Sequence, residues 1–375
     1  MTALLDTVDP DGLEEFSVVF TDRSLNHMSQ QFQQVMRDIS DLLKQVYNAD
    51  AVAVIPGGGT YAMEAVARQF ARNAGVLVVR NGWFSYRWSQ IIETGGLTAK
   101  NRVMKARQTG NTSPAPFAPA PIDDVVAEIR ETRPDVVFAP HVETAAGVIL
   151  PDDYITAMAQ AAHEVGALMV LDCIASGCVW VDMKSTGVDV LISAPQKGWS
   201  ASPCAGLVMM SERAETRLQE TSSDSFAIDL KKWRQMMVAY EEGGHAYHAT
   251  MPTDALRDFR DTMLETRDYG FDRLCAAQWA LGDGVRSMLA EKGIVSVAAE
   301  GFGAPGVVVS YTDDAAIQNG SKFAAKGMQI AAGVPLQCDE PAEFQTFRLG
   351  LFGLDKLYDV DATIARLRRV IDQVL

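Results

Sequence analysis

The chain is poor in cysteine, histidine and runs of positive charge, and it has no long apolar stretch. Its five cysteines (Cys173, Cys178, Cys204, Cys275 and Cys338) are odd in number and scattered, with no paired CxxC spacing. That argues against a disulfide framework and against a zinc site, and leaves reduced, mostly buried thiols as the expectation. No stretch reaches the roughly 18 apolar residues a membrane span requires. The N-terminus, MTALLDTVDPDGLEEF, has neither the basic region nor the apolar core of a secretory leader. Lys and Arg total 33 against 48 Asp and Glu, a net charge of −15, and no basic run stands ready to follow a phosphate backbone. The expectation is a cytoplasmic protein with no nucleic-acid and no membrane partner.

What the chain does have is apolar substance. With 375 residues and 48% hydrophobic composition it can bury a sizeable core and divide into about two domains. Residues 1–22 read as an arm. Residues 26–46 carry Met28, Phe32, Val35, Met36, Ile39, Leu42 and Leu43 at helical spacing, an amphipathic helix. Apolar runs then recur at 51–55, 76–79, 136–139, 168–171, 190–193 and 206–210, mostly separated by helix-like segments, with a weaker run at 97–104. Buried parallel strands have this appearance. The expected fold is α/β: a mixed, mainly parallel seven-stranded sheet with helices on both faces, spanning a large domain of residues 23–268. The order of elements changes near 269, where a long helix, apolar runs, a helix near 313–327 and a terminal helix suggest a smaller α+β domain of residues 269–375. The proline-rich stretch 108–124 reads as an exposed connection.

Chemistry gathers where strands end. The first run leads into PGGGTYAMEAVARQFA (56–71), a glycine loop opening a helix, whose free N–H groups and dipole suit a phosphate. Gly57-x-Gly59-x-x-Ala62 also satisfies the dinucleotide fingerprint, but the next apolar run ends on Arg80 rather than an acid, so a nicotinamide dehydrogenase is a rival reading. Asp172 closes LMVLD, where it serves as a site carboxylate or as a helix cap. HVETAAG (141–147) brings His141, Glu143 and Thr144 to the same rim. In VDVLISAPQKGWS (188–200), Lys197 sits on a tight turn between Pro195 and Gly198 after an apolar strand; an amine partly desolvated there has a lowered pKa and acts as a nucleophile, whereas most lysines are solvated surface charges. A phosphate loop, a carboxylate and an amine are what pyridoxal 5'-phosphate requires: an anchor, an acid to keep the ring nitrogen protonated, and a partner for a Schiff base.

With those three in chain order, the sequence resembles the class V aminotransferases of pyridoxal-phosphate fold type I, and within them the alanine–glyoxylate and serine–pyruvate or serine–glyoxylate group. The resemblance runs through GGGTYAMEA, NGWFSYR (81–87), HVETAAG, LDCIAS (171–176), SAPQKGW (193–199), YHATMPT (247–253) and FRLGLFG (347–353). It implies that Lys197 is the catalytic amine and proton shuttle and that Asp172 pairs with the pyridine nitrogen. Phe84 would stack on the cofactor, with Trp83 as the rival aromatic. Thr144 would lie near the phenolic oxygen, with Gln196 and the loop residues Gly58, Gly59 and Thr60 at the phosphate. Tyr247 and Thr250 would complete the phosphate site of a neighbouring subunit, implying a homodimer with shared active sites. Arg348 would bind the substrate carboxylate. Composition alone also permits a metal pair in HAYH (245–248), though the resemblance implies no metal.

Two departures stand out. Gly58 occupies a position where relatives in this group often carry Ser, and the bulky segment around Trp83, Tyr86, Arg87 and Trp88 reshapes the substrate entrance. The implied reaction moves an amino group from a small L-amino acid, alanine or serine, to glyoxylate or pyruvate by a ping-pong mechanism. Alternatives are a 2-aminoethylphosphonate transaminase, a lyase, or a desulfurase using Cys338 as its thiol; a non-enzymatic binding protein fits less well with three convergent reactive groups.

Overall fold

The computed structural model describes residues 13–110 and 114–375. The first twelve residues of the expected arm and residues 111–113 of the proline-rich stretch lie outside the described residues. Helix α1 (Gln30–Tyr47) buries Phe32, Val35, Met36, Ile39, Leu42 and Leu43, as the spacing anticipates. It starts four residues later than expected because Ser29 caps it, its hydroxyl accepting from the Phe32 N–H at 3.1 Å, and Met28 is left exposed.

Seven strands follow: β1 (Ala51–Pro56), β2 (Val76–Arg80), β3 (Asn101–Lys105), β4 (Val136–Pro140), β5 (Leu168–Asp172), β6 (Val190–Ser193) and β7 (Ala205–Met210). They form one sheet in the order β1-β7-β6-β5-β4-β2-β3. Strand β7 runs antiparallel to both neighbours, and every other pairing is parallel. The weak run near 97–104 supplies β3, an edge strand without a fully buried residue, which is why its apolar signal is faint. Helix α2 (Gly59–Phe70) packs on β7, α3 (Trp83–Thr94) on β2, α5 (Asp152–Val165) on β5 and on α4 (Ile122–Thr132), and α6 (Leu230–Glu241) on β1. The expected α/β sheet is the observed one.

Helix α7 (Thr253–Tyr269) leads at Gly270 into α8 (Phe271–Glu291). Beyond it, β8 (Val307–Tyr311), β9 (Ala331–Ala332) and β10 (Thr346–Gly350) form an antiparallel sheet in the order β8-β10-β9. With α8 and α9 (Val360–Val374) it surrounds a separate apolar cluster that includes Leu274, Leu281, Val285, Phe323, Phe347 and Leu349.

Two expectations need correction. The helix expected near 313–327 is two single turns, Ala315–Gln318 and Ser321–Ala324, separated by Asn319 and by Gly320 at φ +82°. The stretch 108–124 is not simply an exposed connection. Arg107–Gln108 pairs with Phe117–Ala118; the Phe117 N–H donates to Val297 O at 2.7 Å; and the Phe117 ring is buried. An aromatic among prolines anchors that loop to the segment following α8.

Candidate active site

The carboxyl ends of β1, β5 and β6 converge, as expected for a ligand crevice in an open α/β sheet. A cavity of about 360 Å³ opens there, lined by Gly59, Thr60, Phe84, Thr144, Asp172, Gln196, Lys197 and Arg348. These eight residues come from six separate places in the chain, and the sequence points to all of them.

Strand β1 delivers the glycine loop. Gly58 is extended, at φ −165°, and α2 begins at Gly59. The Tyr61 N–H donates to Gly58 O at 2.9 Å, which leaves the Gly59 and Thr60 amides without a carbonyl partner among the described residues, and both residues line the cavity. Gly59 is required by packing: a Cβ there would lie 2.4 Å from Ile174 Cδ1 and 2.8 Å from its Cγ1. Gly58 itself does not line the cavity, and a Cβ on it would meet nothing within 4 Å.

Asp172 ends β5, where the His141 N–H donates to its carbonyl at 2.8 Å and its own Oδ1 accepts from the Ile174 N–H at 2.9 Å. Burial pushes its carboxyl up to about 7, opposed by the Ile174 hydrogen bond, reinforced by the negative charge of Glu143 and opposed again by Arg87. His141 points away, its Nδ1 2.7 Å from Ser176 Oγ, and burial lowers its pKa to about 3, so it is a neutral structural histidine.

Lys197 lies one turn beyond β6. Gly198 lets this turn press on its neighbour, since a Cβ there would stand 2.0 Å from Gly177 O. The Lys197 ammonium lies 5.2 Å from the Phe352 ring centroid. Burial lowers its pKa, and the positive charges of Arg348 and Arg87 lower it further, so the neutral amine is favoured over that of a solvated lysine. Arg348, on β10, donates through Nε to Ala332 O at 2.8 Å. Its terminal nitrogens have no hydrogen-bond partner among the described residues, and its Cζ lies 5.6 Å from the Phe84 centroid.

Helix α3 brings Phe84 to the cavity, whereas the Trp83 ring lies 5.8 Å from that of Tyr86 and is not part of the lining. The start of α3 is fixed by Glu143, a fully buried carboxylate. It accepts from the Phe84 N–H at 3.1 Å, the Ser85 N–H at 2.9 Å, the Ser85 hydroxyl at 2.6 Å and the Ala145 N–H at 3.0 Å. Glu143 is thus a positioning residue for the helix start rather than a free rim acid.

Arg87, expected only at the substrate entrance, also lines the cavity. Its guanidinium lies over Phe84, with Cζ 4.8 Å from the centroid, and Nη1 donates to Thr60 Oγ1 at 3.1 Å. The available signal was its place three residues beyond Phe84, which puts both on one helix face. Ile174, Val307 and Phe352 likewise line the cavity without having been marked.

Tyr247 and Thr250 are not brought to this cavity within one chain. They bond to each other, Oη to Oγ1 at 3.1 Å, and Tyr247 is 53% exposed. In HAYH the two imidazoles diverge: His248 bonds to Phe226 O, and His245 lies against the His27 ring. Cys338 is buried, donates to Arg80 O at 3.4 Å, and has its thiol pushed up to about 12 by burial first and by nearby carboxylates next.

The profile of the family Aminotransferase class-V matches residues 14–296, three-quarters of the chain. The chain belongs to the class V aminotransferases. A protein of Paraburkholderia phymatum described as 2-aminoethylphosphonate–pyruvate transaminase is 26% identical over 92% of this chain and 89% of its own. One of Synechococcus sp. described as the small subunit of a soluble hydrogenase is 24% identical over 93% and 88%. Among solved structures, an alanine–glyoxylate aminotransferase from Nostoc sp. superposes with a TM-score of 0.76, covering 92% of this chain and 88% of that one at 22% identity. The fold is that of the fold type I pyridoxal-phosphate aminotransferases, and among described residues no helix is long and apolar enough to cross a membrane.

The cofactor that this family implies fits the cavity. Among described residues, Arg87, Lys197 and Arg348 line it without an ion-pair partner, as a multiply anionic ligand requires. The buried Gln196 Oε1 has no protein partner, and the start of α2 is ready for a phosphate. In this class of enzyme the chemistry belongs to the bound group: pyridoxal phosphate supplies an aldehyde for covalent capture of an amine and an electron sink for charge developing at Cα.

Proposed function

We propose that this aminotransferase moves an amino group from a small L-amino acid, alanine or serine, to glyoxylate or pyruvate in two half-reactions. The observation that carries this reading is the placement of Lys197, Asp172, Thr60 and Arg348 around one cavity. Asp172 would face the ring nitrogen and hold a proton there by charge, a cation beside it opposing the rise in its own pKa. Lys197 Nζ, made less basic by burial and by the neighbouring arginines, would take the proton from the substrate Cα. Arg348 would hold the substrate carboxylate through its terminal nitrogens and so orient the bonds at Cα. Phe84 limits the cavity on one side and excludes water from that face. Gln196, Thr144 and the amides of Gly58, Gly59 and Thr60 complete the contacts of the reading.

The same reading has the chain divide near residue 269 and pair as a homodimer in which Tyr247 and Thr250 complete the neighbouring phosphate site. The exposure of Tyr247 and its distance from the cavity of its own chain support this. The test is spectroscopic. The purified protein is expected to be yellow, with an absorbance that falls on adding alanine or serine and returns with glyoxylate. An unchanged spectrum with every small donor refutes the reading.

A second reading, 2-aminoethylphosphonate as donor, is favoured by the relative from Paraburkholderia and its near-complete coverage. It predicts the spectral change with the aminophosphonate and none with alanine. A desulfurase is disfavoured because Cys338 is buried and outside the cavity.

A further inference from the structure

We propose that Arg87 is a cofactor-phosphate residue, supplying at the start of α2 the polar side chain that Gly58 lacks. This rests on the reading of the cavity as the cofactor site. A phosphate held there carries close to two negative charges, and the start of α2 counters them with about half a positive charge from the dipole, free amides and the single hydroxyl of Thr60. Gly58 contributes no side chain, and the space around its Cβ position is open.

Arg87 reaches this place from α3. Its Nη1 donates to Thr60 Oγ1 at 3.1 Å, so the hydroxyl has an acceptor pair engaged and its own hydrogen free to point at a phosphate oxygen. Its guanidinium carbon lies over the Phe84 ring, 4.8 Å from the centroid. It makes no ion pair among described residues and has further N–H groups to offer in a fixed fork. Glu143 fixes the first turn of α3 and so holds the helix that carries Arg87. Arg348 is held elsewhere: its Nε donates to Ala332 O on the three-stranded sheet, and among described residues it makes no hydrogen bond to Thr60. The two arginines of the cavity therefore divide the work, Arg87 toward the cofactor phosphate and Arg348 toward the substrate carboxylate.

The test compares the dissociation constants of pyridoxal phosphate and of pyridoxal, which lacks the phosphate, by titrating the apoprotein and following its absorbance. Arg87→Gln is expected to weaken pyridoxal phosphate by about 10- to 100-fold, the range for a charge-assisted hydrogen bond, and to leave pyridoxal within about twofold. Arg87→Lys, which keeps the charge and the fold, is expected to recover part of the loss, and Gly58→Ser in the Arg87→Gln background a further part. Unchanged affinity for pyridoxal phosphate in Arg87→Gln, with a raised KM for the amino donor, overturns the proposal and assigns Arg87 to the substrate. Equal weakening of both ligands overturns it too, since the phosphate is then not what Arg87 senses. Borohydride trapping separates the underlying reading: if the wild type is not labelled at Lys197, the cavity is not the cofactor site, whatever Arg87 does.

Discussion

Gly59 is where packing and function meet most tightly, and substituting it gives a quantitative test. An Ala Cβ at this position would stand 2.4 Å from Ile174 Cδ1, 2.8 Å from Cγ1 and 3.3 Å from Cγ2. Rotating χ2 of Ile174 moves Cδ1 out of the way but leaves Cγ1 where it is, and χ1 of a β-branched residue is stiff. Relief therefore requires α2 or the Ile174 backbone to shift, and overpacking of this kind costs about 1–3 kcal/mol. Against it stands the gain of about 0.4–1 kcal/mol from removing a glycine from the unfolded chain. The net expectation for Gly59→Ala is a loss of about 1–2 kcal/mol, which at about 2–4 °C per kcal/mol for a domain of this size lowers Tm by about 2–8 °C. Gly58→Ala, one residue away, is extended and open and is expected to change stability by no more than about 0.5 kcal/mol. Thermal unfolding of the two apoproteins reads the difference. Adding Ile174→Ala is expected to cost less in the Gly59→Ala background than in the wild type, because it removes all three crowded atoms. If Gly59→Ala melts with Gly58→Ala, or if the Gly59 and Ile174 changes simply add, the steric account is wrong.

Other perturbations separate the remaining roles. Arg348→Gln is expected to raise KM for the amino donor by about 10- to 100-fold while leaving the affinity for pyridoxal phosphate unchanged, as steady-state kinetics and titration show side by side. Asp172→Asn is expected to lower turnover by about 100-fold or more, because an amide does not hold the ring-nitrogen proton by charge. In the apoprotein the folded Asp172 carboxyl titrates near 7 against an ordinary 3.8, so the folded state binds the extra proton between these values. Its contribution is present below about pH 4 and is lost as pH rises through 7; urea midpoints across that window are expected to fall with pH in the wild type and to fall less in Asp172→Asn. Glu143→Gln sets an amide NH₂ against backbone donors at the start of α3 and is expected to destabilise by about 1–3 kcal/mol, measured by urea denaturation.

The strands with continuous apolar runs were legible because both faces of a central strand must be apolar, and their number and the mixed sheet followed. What periodicity could not supply was the partner of each strand: β1 and β7 read alike, yet β7 is antiparallel to both neighbours. The cavity residues Lys197, Asp172 and Thr60 were legible because they end strands or open a helix. Arg87 was harder to see, since its role depends on a hydrogen bond to Thr60 across two helices. The function of Glu143 was hidden for a related reason, as a carboxylate among apolar residues gives no sign that three of its four hydrogen bonds go to the start of α3. The helix expected near 313–327 failed because a glycine at φ +82° interrupts an otherwise favourable composition.

The place of β1 in the sheet has a consequence for how the protein comes into being on the ribosome. Its edge is closed only by β7, in a register from Ala51↔Met210 to Pro56↔Ala205, and the Gly57 N–H donates to Cys204 O at 2.9 Å. Strands β2 to β6 can pair among themselves as they emerge, whereas β1 waits for a segment about 150 residues further along the chain. A nascent chain halted near residue 200 would already hold Asp172 and Lys197 but not a seated glycine loop. The glycine loop is therefore seated only after the midpoint of the chain has been made, by the arrival of the one reversed strand.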